Sequence, residues 1–391
     1  MYKKKVVAIL PQKGKTLNQQ IQACFSSVKE ILIHYKINTG NILKQSVFIR
    51  ATNNIDFQKK KDKILGLLKD LYCSSFPPTS IIGQPPDNHR LLALELILLI
   101  EQSKEHKLQR HEHKGVTYIT LSSSKMKEIF CGGITVSSEK DGILESSTGA
   151  FKLMQEILTL EDLDFSHVVR QWNYIQNITG TSTIENNLRQ NYQIFNDVRS
   201  SFYETAEFKN GYPAATGIGM NVGGIILEFI ALKAEGDIKI IPVKNPRQVD
   251  AHQYSQEVLA GDRLKEELPK TTPKFERAKL VITQSSTDLY VSGTAAILGQ
   301  NTMAKDDVEA QTVVTIENIL SLLSEGNLNQ VGRKIKIGSD FLSYFRVYVK
   351  RSQLVPLVKK ACNKYFKGLT GLYLISDICR DELLVEIEAS G

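Results

Sequence analysis

At 391 residues, 42% hydrophobic and 23% charged, the chain has enough apolar matter for two or three packed domains and too much for disorder. Its 49 basic against 42 acidic residues leave a formal net charge of +7 with no basic stripe, which argues against nucleic-acid binding and suits a small dianion. Five scattered cysteines form no C-x-x-C pair and no metal-ligand spacing, and no apolar run approaches a membrane span. The opening Met1 to Lys5 leads into only a short apolar run, Val6 to Leu10, too short for a signal-peptide core. A cytoplasmic protein in a reducing compartment, with no metal, is the expectation.

The first third shows apolar residues at helical spacing from Asn18 to His34 (Ile21, Phe25, Val28, Ile31, Leu32), then a strand, Ser46 to Arg50. A second helix is predicted over Phe57 to Tyr72, and its Lys59-Lys60-Lys61-Asp62-Lys63 run reads as a solvated face. A Pro-rich breaker cluster precedes an apolar run from Leu91 to Ile100 that contains Glu95. In the middle third, Gly115 to Ser122 and Gly132 to Ser138 look like strands, and Asp164 to Ile175 and Asn187 to Phe202 look helical. Gly224 to Leu232 and Ile238 to Val243 look like a strand pair turned at Gly236-Asp237. The charged stretch from Gln256 to Pro273 reads as a long loop or lid.

The far end repeats the order of the first third. Val308 to Leu323 is helical by spacing, Arg346 to Lys350 a strand, Gln353 to Phe366 a helix and Leu383 to Glu388 a closing strand. Each half ends on a Glu within an apolar run, which suggests an internal duplication of the first and last thirds. The expected fold class is α/β (α+β), with mixed sheets and helices packed on one face, divided as 1–115, 116–250 and 251–391.

On the closing strand, alternation puts Leu384, Glu386 and Glu388 on one face. A carboxylate set among Leu, Val and Ile is desolvated, keeps its proton and can serve as a general acid; an edge-strand charge facing water is the plainer reading. The glycine-rich stretch Gly211 to Gly224 fails the dinucleotide spacing, because Val222 stands where the third glycine belongs. A turn with a close backbone approach fits it better. Tyr290 to Gly299 reads as a strand whose interior Gly293 marks a bulge. Cys379, taken alone, is a small buried hydrophobe more readily than a nucleophile, and His111 and His113 sit in a polar loop.

Several stretches, taken as a set, resemble a known family. Val291-Ser292-Gly293-Thr294-Ala295, Asp307 to Thr312 with Glu317-Asn318-Ile319, and Glu386-Ile387-Glu388 resemble the RidA/YjgF superfamily of small α/β domains. Trp172 to Ile175, Tyr192-Gln193-x-Phe195-Asn196, Tyr212 to Gly219, Asn245 to Val249 and Asp377 to Arg380 with Leu384 to Glu388 resemble the chorismatases more specifically. That resemblance, over about Trp172 to Glu388, implies cofactor-free cleavage of chorismate with release of pyruvate and with Glu386 as the proton donor. Glycine at Gly293 and cysteine at Cys379 are similar to the members that form 3-hydroxybenzoate, with some 4-hydroxybenzoate possible. The resemblance assigns Glu386 and Cys379 to catalysis and Tyr254 and Gly293 to the substrate site, with Tyr174, Arg199 and Lys350 as carboxylate contacts.

Where the family often shows Glu-Arg-Tyr this chain has Gln190-Asn191-Tyr192, so a carboxylate-binding arginine of the family is absent, and either Arg189 or Arg199 replaces it or substrate binding is lost. The other readings are a hydrolytic chorismatase giving a dihydroxycyclohexadiene carboxylate, a RidA-type imine deaminase and a non-catalytic ligand binder. The deaminase reading suffers because Gly371 to Ser376 contains no arginine. No cofactor, nucleic acid or membrane is expected, and either a monomer or a homotrimer is compatible.

Overall fold

The computed structural model describes residues 2–136, 142–184, 186–259, 269–283, 286–329 and 341–391. Each parallel strand pair is bridged by a segment that contains a helix, because a parallel partner requires a long crossover.

The first sheet holds β1 (Tyr2–Ile9), β2 (Ile42–Ile49), β3 (Thr79–Ile82) and β4 (Leu92–Gln102), with α1 (Leu17–Tyr35) and α2 (Asn54–Tyr72) in the crossovers. The second holds β5 (Lys107–His113), β6 (Val116–Ser123), β7 (Met126–Ile134) and β8 (Val168–Gln176), then β11 (Ala214–Met220) and β12 (Ile225–Ala234). Its helices are α3 (Ile143–Leu160) and α4 (Asn191–Tyr203), and a small hairpin, β9 (Thr181–Ile184) with β10 (Asn187–Gln190), leads into α4. The third sheet holds β13 (Lys239–Val243), β14 (Ala278–Ile282), β15 (Thr287–Ala295), β18 (Tyr344–Val349), β19 (Thr370–Ile375) and β20 (Val385–Ser390). Between β15 and β18 lie a two-residue ladder, β16 (Ile297–Leu298) with β17 (Asn301–Thr302), and the helices α5 (Val308–Leu322) and α6 (Glu325–Asn329); α7 (Val355–Tyr365) joins β18 to β19.

The strand orders, β1-β4-β2-β3, β7-β12-β8-β11 and β15-β20-β18-β19, are one topology written three times. In each, the last strand inserts antiparallel between the first two, and the third pairs parallel with the second. The hairpins β5-β6 and β13-β14 extend the second and third sheets at the same edge. The mixed α/β class expected from the sequence is what is found. The duplication is a correction: the middle third carries the same unit, so there are three copies and not two.

The repeat is masked in the middle because Asp164 to Ile175, expected as a helix, contains β8. Its Arg170, Trp172 and Tyr174 bond toward one side of the sheet, while Gln171 accepts from Tyr203 of α4 on the other. Polar groups on both faces erase the alternation that marks a half-buried strand. The strand expected over Gly132 to Ser138 is the end of β7, which starts six residues earlier, and 137–138 lie outside the described residues. The turn at Gly236 is present, yet β12 pairs with β7 and β8 whereas β13 pairs with β14, so the expected strand pair belongs to two sheets. The expected loop over 256–273 is described only in part, with 260–268 outside the described residues.

Helices cover the outer face of each sheet. Phe345, Val347 and Val349 of β18 and Val385 and Ile387 of β20 join the cluster beneath α5 and α7, while Tyr344, Arg346 and Tyr348 turn inward. The inward faces of the three units meet around a buried polar ring. Register places Glu95, Glu228 and Glu388 at equivalent positions, opposite Ser46, Trp172 and Arg346. The residue two before each of those partners reaches into the next unit. Lys44 Nζ lies 2.7 Å from Glu228, Arg170 Nη2 lies 2.8 Å from Glu388, and the Tyr344 hydroxyl donates to Glu95 at 2.6 Å. Arg346 also pairs with both Glu95 and Glu388, so three cations meet three carboxylates. Buried charges require such pairing, because an unpartnered one carries a heavy desolvation cost. No helix among the described residues is long and apolar enough to cross a membrane.

Candidate functional site

The candidate site is the cleft between the second and third units. Its floor is a β-bulge. Val291 pairs with Ala389 and Thr294 with Ile387, so β15 spends one residue more than β20 between those pairs. Gly293 sits in that bulge, and a Cβ built on it would fall on Glu386 Oε1. The missing side chain is thus the space in which the Glu386 carboxyl stands.

The bulge is tied on both sides. Gly293 N–H donates to Thr216 Oγ1 of β11 at 3.0 Å, and Ala215 N–H donates to Ser292 Oγ at 2.9 Å. From α5, Asn318 donates to the carbonyls of Ala295 and Ile297, and the Gln311 amide oxygen accepts from Leu384 N–H at 2.7 Å, fixing the entry of β20. The Asp307 cap on α5 accepts from Ala310 N–H, which sets the register of that helix.

Glu386 is 4% exposed, and no hydrogen bond from another described residue reaches its carboxyl. Burial, reinforced by the nearby Glu388 charge and opposed by Arg170 and Arg277, pushes its pKa up to about 8. At neutral pH it is therefore a carboxylic acid with its proton free to give. Glu388, two residues on, behaves oppositely. Although burial works against it, Arg346 and Arg170, with hydrogen bonds from Thr216 and Trp172, hold it below the ordinary carboxylate range. Two glutamates on one face of one strand are thus assigned different protonation states by their partners.

Around the acid lie Tyr192, Ala215, Gly217, Tyr254, Arg277, Gly293, Cys379 and Arg380, with Gln190, Gln193, Asn196 and Phe275 further out. Two guanidinium groups lie near the Tyr254 ring, Arg277 at 5.5 Å and Arg380 at 5.4 Å from its centroid. Arg277 also donates to the Tyr254 hydroxyl at 2.8 Å, and its buried Nε has no hydrogen-bond partner. Two cations that face one cleft can receive two carboxylates. Gly217 provides the close approach expected from the glycine-rich stretch, since a Cβ there would lie 2.9 Å from the Tyr192 ring. Burial first, then the Glu386 charge, pushes the Cys379 thiol up to about 12, which keeps it protonated and poorly nucleophilic.

The structure therefore brings together Glu386, Cys379, Tyr254 and Gly293 of the residues singled out from sequence. It places the other three elsewhere. Tyr174 lies in the central ring, where its hydroxyl donates to Glu228 and accepts from Arg346. Arg199 stands behind the wall, donating to Asn196 Oδ1 at 2.6 Å. Lys350 donates to the Asp381 carbonyl at 2.7 Å, away from the cleft. Of the two candidates to replace the absent arginine, Arg189 is held by Asp197, and Asn191 itself ties Ser182 to the Asn177 carbonyl. The guanidinium groups that line the cleft are those of Arg277 and Arg380. Sequence reasoning missed Arg277, which follows Glu276 without any periodic or motif signal, whereas Arg380 and Tyr192 lay inside motifs already singled out.

Comparison with known proteins adds an independent line. Residues 103–231 match the family model described as "Chorismatase FkbO/Hyg5-like, N-terminal". A 3-hydroxybenzoate synthase of Streptomyces hygroscopicus is 32% identical over 287 residues, which cover 71% of this chain and 76% of that protein. A chorismatase of Streptomyces rapamycinicus is 32% identical over 248 residues, 62% of this chain and 67% of the relative. A crystal structure of a chorismatase superposes with a TM-score of 0.69 at 19% identity, covering 100% of this chain and 98% of the other, which establishes a shared fold. With a relative of 32% identity matched over three quarters of its length, the chain belongs to the chorismatase family.

Proposed function

We propose that the protein converts chorismate to pyruvate and 3-hydroxybenzoate, with Glu386 as the general acid. The observation that carries this reading is the buried Glu386 carboxyl, neutral up to about pH 8, at the end of a cleft that also presents Arg277 and Arg380. Protonation of the enolpyruvyl methylene breaks its double bond and leaves an oxocarbenium ion, and a neutral carboxylic acid beside that carbon is what the step requires. The neighbouring ring hydroxyl then acts as internal nucleophile in place of water, pyruvate departs and the ring aromatises. The two products together contain the atoms of the substrate, so no water is consumed. A hydrolytic outcome would consume one water and leave a dihydroxycyclohexadiene carboxylate.

Arg277 and Arg380 are the partners we assign to the two substrate carboxylates, with Tyr254 beside them as a wall. Cys379, kept as a thiol, shapes the cleft rather than attacking. The 3-hydroxybenzoate branch is supported by Gly293 and Cys379 and by the likeness to the 3-hydroxybenzoate synthase. The substitution Glu386→Gln tests the role of the acid. It should lower turnover by about 10²–10⁴-fold, the usual worth of a general acid, while chorismate affinity measured by calorimetry stays near wild type. Turnover within a few-fold of wild type would remove Glu386 from the chemistry.

A further inference from the structure

The central ring and the cleft are joined by one short chain of bonds. Arg170 Nη2 and Trp172 Nε1 donate to the Glu388 carboxylate at 2.8 and 2.9 Å. The Thr216 hydroxyl donates to Glu388 Oε2 at 2.6 Å, and Thr216 Oγ1 itself accepts from Gly293 N–H at 3.0 Å. Gly293 is the bulge residue whose missing side chain makes room for the Glu386 carboxyl, and Thr216 Cγ2 lies 3.0 Å from where its Cβ would stand. The floor under the acid therefore rests on Thr216, whose hydroxyl is held by Glu388 and by Arg170 Nη2, which donates to it at 2.8 Å.

We infer that Glu388 is a positioning residue for the reaction: anchored by Arg170 and Trp172, it fixes through Thr216 the Gly293 bulge on which the Glu386 carboxyl is seated. The inference rests on the reading of Glu386 as the acid and extends it to a residue that does not line the cleft. The anion has a second effect, because it neutralises Arg170, one of the two cations that pull Glu386 toward ionisation. The other groups facing Glu386 are Arg277 from the segment before β14, Tyr192 from α4, and Cys379, with Arg380 beside it, from the β19–β20 connection. Glu388 is the anion among them, so its removal should drive Glu386 toward the carboxylate.

Two variants and a control test this. In Glu388→Gln, the midpoint of the Glu386 carboxyl, followed by NMR on protein made with isotope-labelled glutamate and assigned with Glu386→Gln, should fall by about one pH unit or more. The alkaline limb of kcat should move by the same amount in the same direction. A midpoint and a limb that both stay at their wild-type positions would overturn the inference. If Glu388→Gln does not fold, Thr216→Val decides, since it keeps the volume and the Glu388 charge but cuts the bridge. It should lower kcat about tenfold with KM nearly unchanged. Ser80→Ala, which removes the hydroxyl that bonds the bulge glycine Gly133 in the first cleft, should leave kcat alone. Wild-type kcat in Thr216→Val, or an equal loss in both, would contradict the inference. Absence of chorismate turnover in the wild type would defeat the proposed function instead, and the carboxyl titration, which needs no substrate, would still decide the role of Glu388.

Discussion

The contacts between units one and two and between units two and three are built from the same parts, and among the described residues the second adds a carboxyl, Glu386, to its ring glutamate. Between units one and two, Lys44 pairs with Glu228, and Gly133 N–H in the β7 bulge donates to Ser80 Oγ at 2.6 Å. Between units two and three, Arg170 pairs with Glu388, and Gly293 N–H in the β15 bulge donates to Thr216 Oγ1. Ser80 and Thr216 occupy matching positions, opposite Ser46 and Trp172 on parallel neighbours. The difference lies two residues before the ring glutamate. There the second unit has Ile226, packed in the main apolar cluster, and the third has Glu386. At Gly133 a Cβ would strike the Thr79 carbonyl, so backbone closes on backbone, whereas at Gly293 it would strike the acid. The ring, the bulge and its hydroxyl tie are common to both, and what distinguishes the second is a carboxyl, Glu386, where the first has the apolar Ile226.

The largest effect should come from Gly293→Ala, whose methyl displaces the Glu386 carboxyl; turnover should fall about 10²-fold, as for a misplacement of about 1 Å, with a smaller change in melting temperature. Pyruvate release from chorismate is the assay, and an unimpaired variant would mean that the acid does not use this space. Ile226→Glu, the converse graft, should destabilise the fold by roughly 2–5 kcal/mol in denaturant titration and create no second active site, because the first cleft offers its carboxyl no opening. Gly133→Ala should cost on the order of 1–3 kcal/mol through its left-handed backbone and the Thr79 contact, while the folded fraction keeps its activity.

A subtler effect concerns pH. Glu386 holds its proton to about pH 8 when folded, whereas an ordinary carboxyl in the unfolded chain releases it near pH 4.5. Between those limits the folded state binds more protons, so stability falls as pH rises through that window. Glu386→Gln should therefore be more stable than wild type above pH 8, on the order of a few kcal/mol, and indistinguishable below the unfolded pKa. Thermal melts at both ends of the range would read this, and equal stabilities throughout would show the carboxyl is not held neutral. The smallest change is expected of Cys379→Ala. Its thiol is protonated, so turnover should stay within about tenfold of wild type, and the ratio of aromatic products is the readout that reports its shaping role.

Much of this was legible in the sequence where local pattern and burial agree. α1, α2, α5 and β18 lie near their expected positions because their apolar residues follow a clean period, and Glu386 could be read as desolvated from its Leu, Val and Ile neighbours alone. The third copy of the unit was hidden because β8 carries Arg170, Gln171 and Asn173 for partners far along the chain. Arg170 answers Glu388, 218 residues away, and Lys44 answers Glu228, 184 residues away. Long-range charge pairing leaves no local periodicity to find. The same reason explains the misplaced carboxylate contacts: Tyr174 lies inside a family-like motif and Arg199 just beyond one, yet their side chains bond to Glu228 and Asn196 instead of facing the cleft. Arg277, an isolated arginine before an apolar strand, had no signal except the geometry that sets it beside Tyr254.

The measurement that bears most directly on the whole account is the product analysis of purified protein incubated with chorismate near neutral pH. The account predicts pyruvate and 3-hydroxybenzoate in equal amounts, with the rate falling as pH rises through about 8 and the Glu386 proton is lost. Absence of pyruvate from a folded preparation would contradict it, and pyruvate accompanied by a dihydroxycyclohexadiene carboxylate would keep the acid while overturning the internal nucleophile.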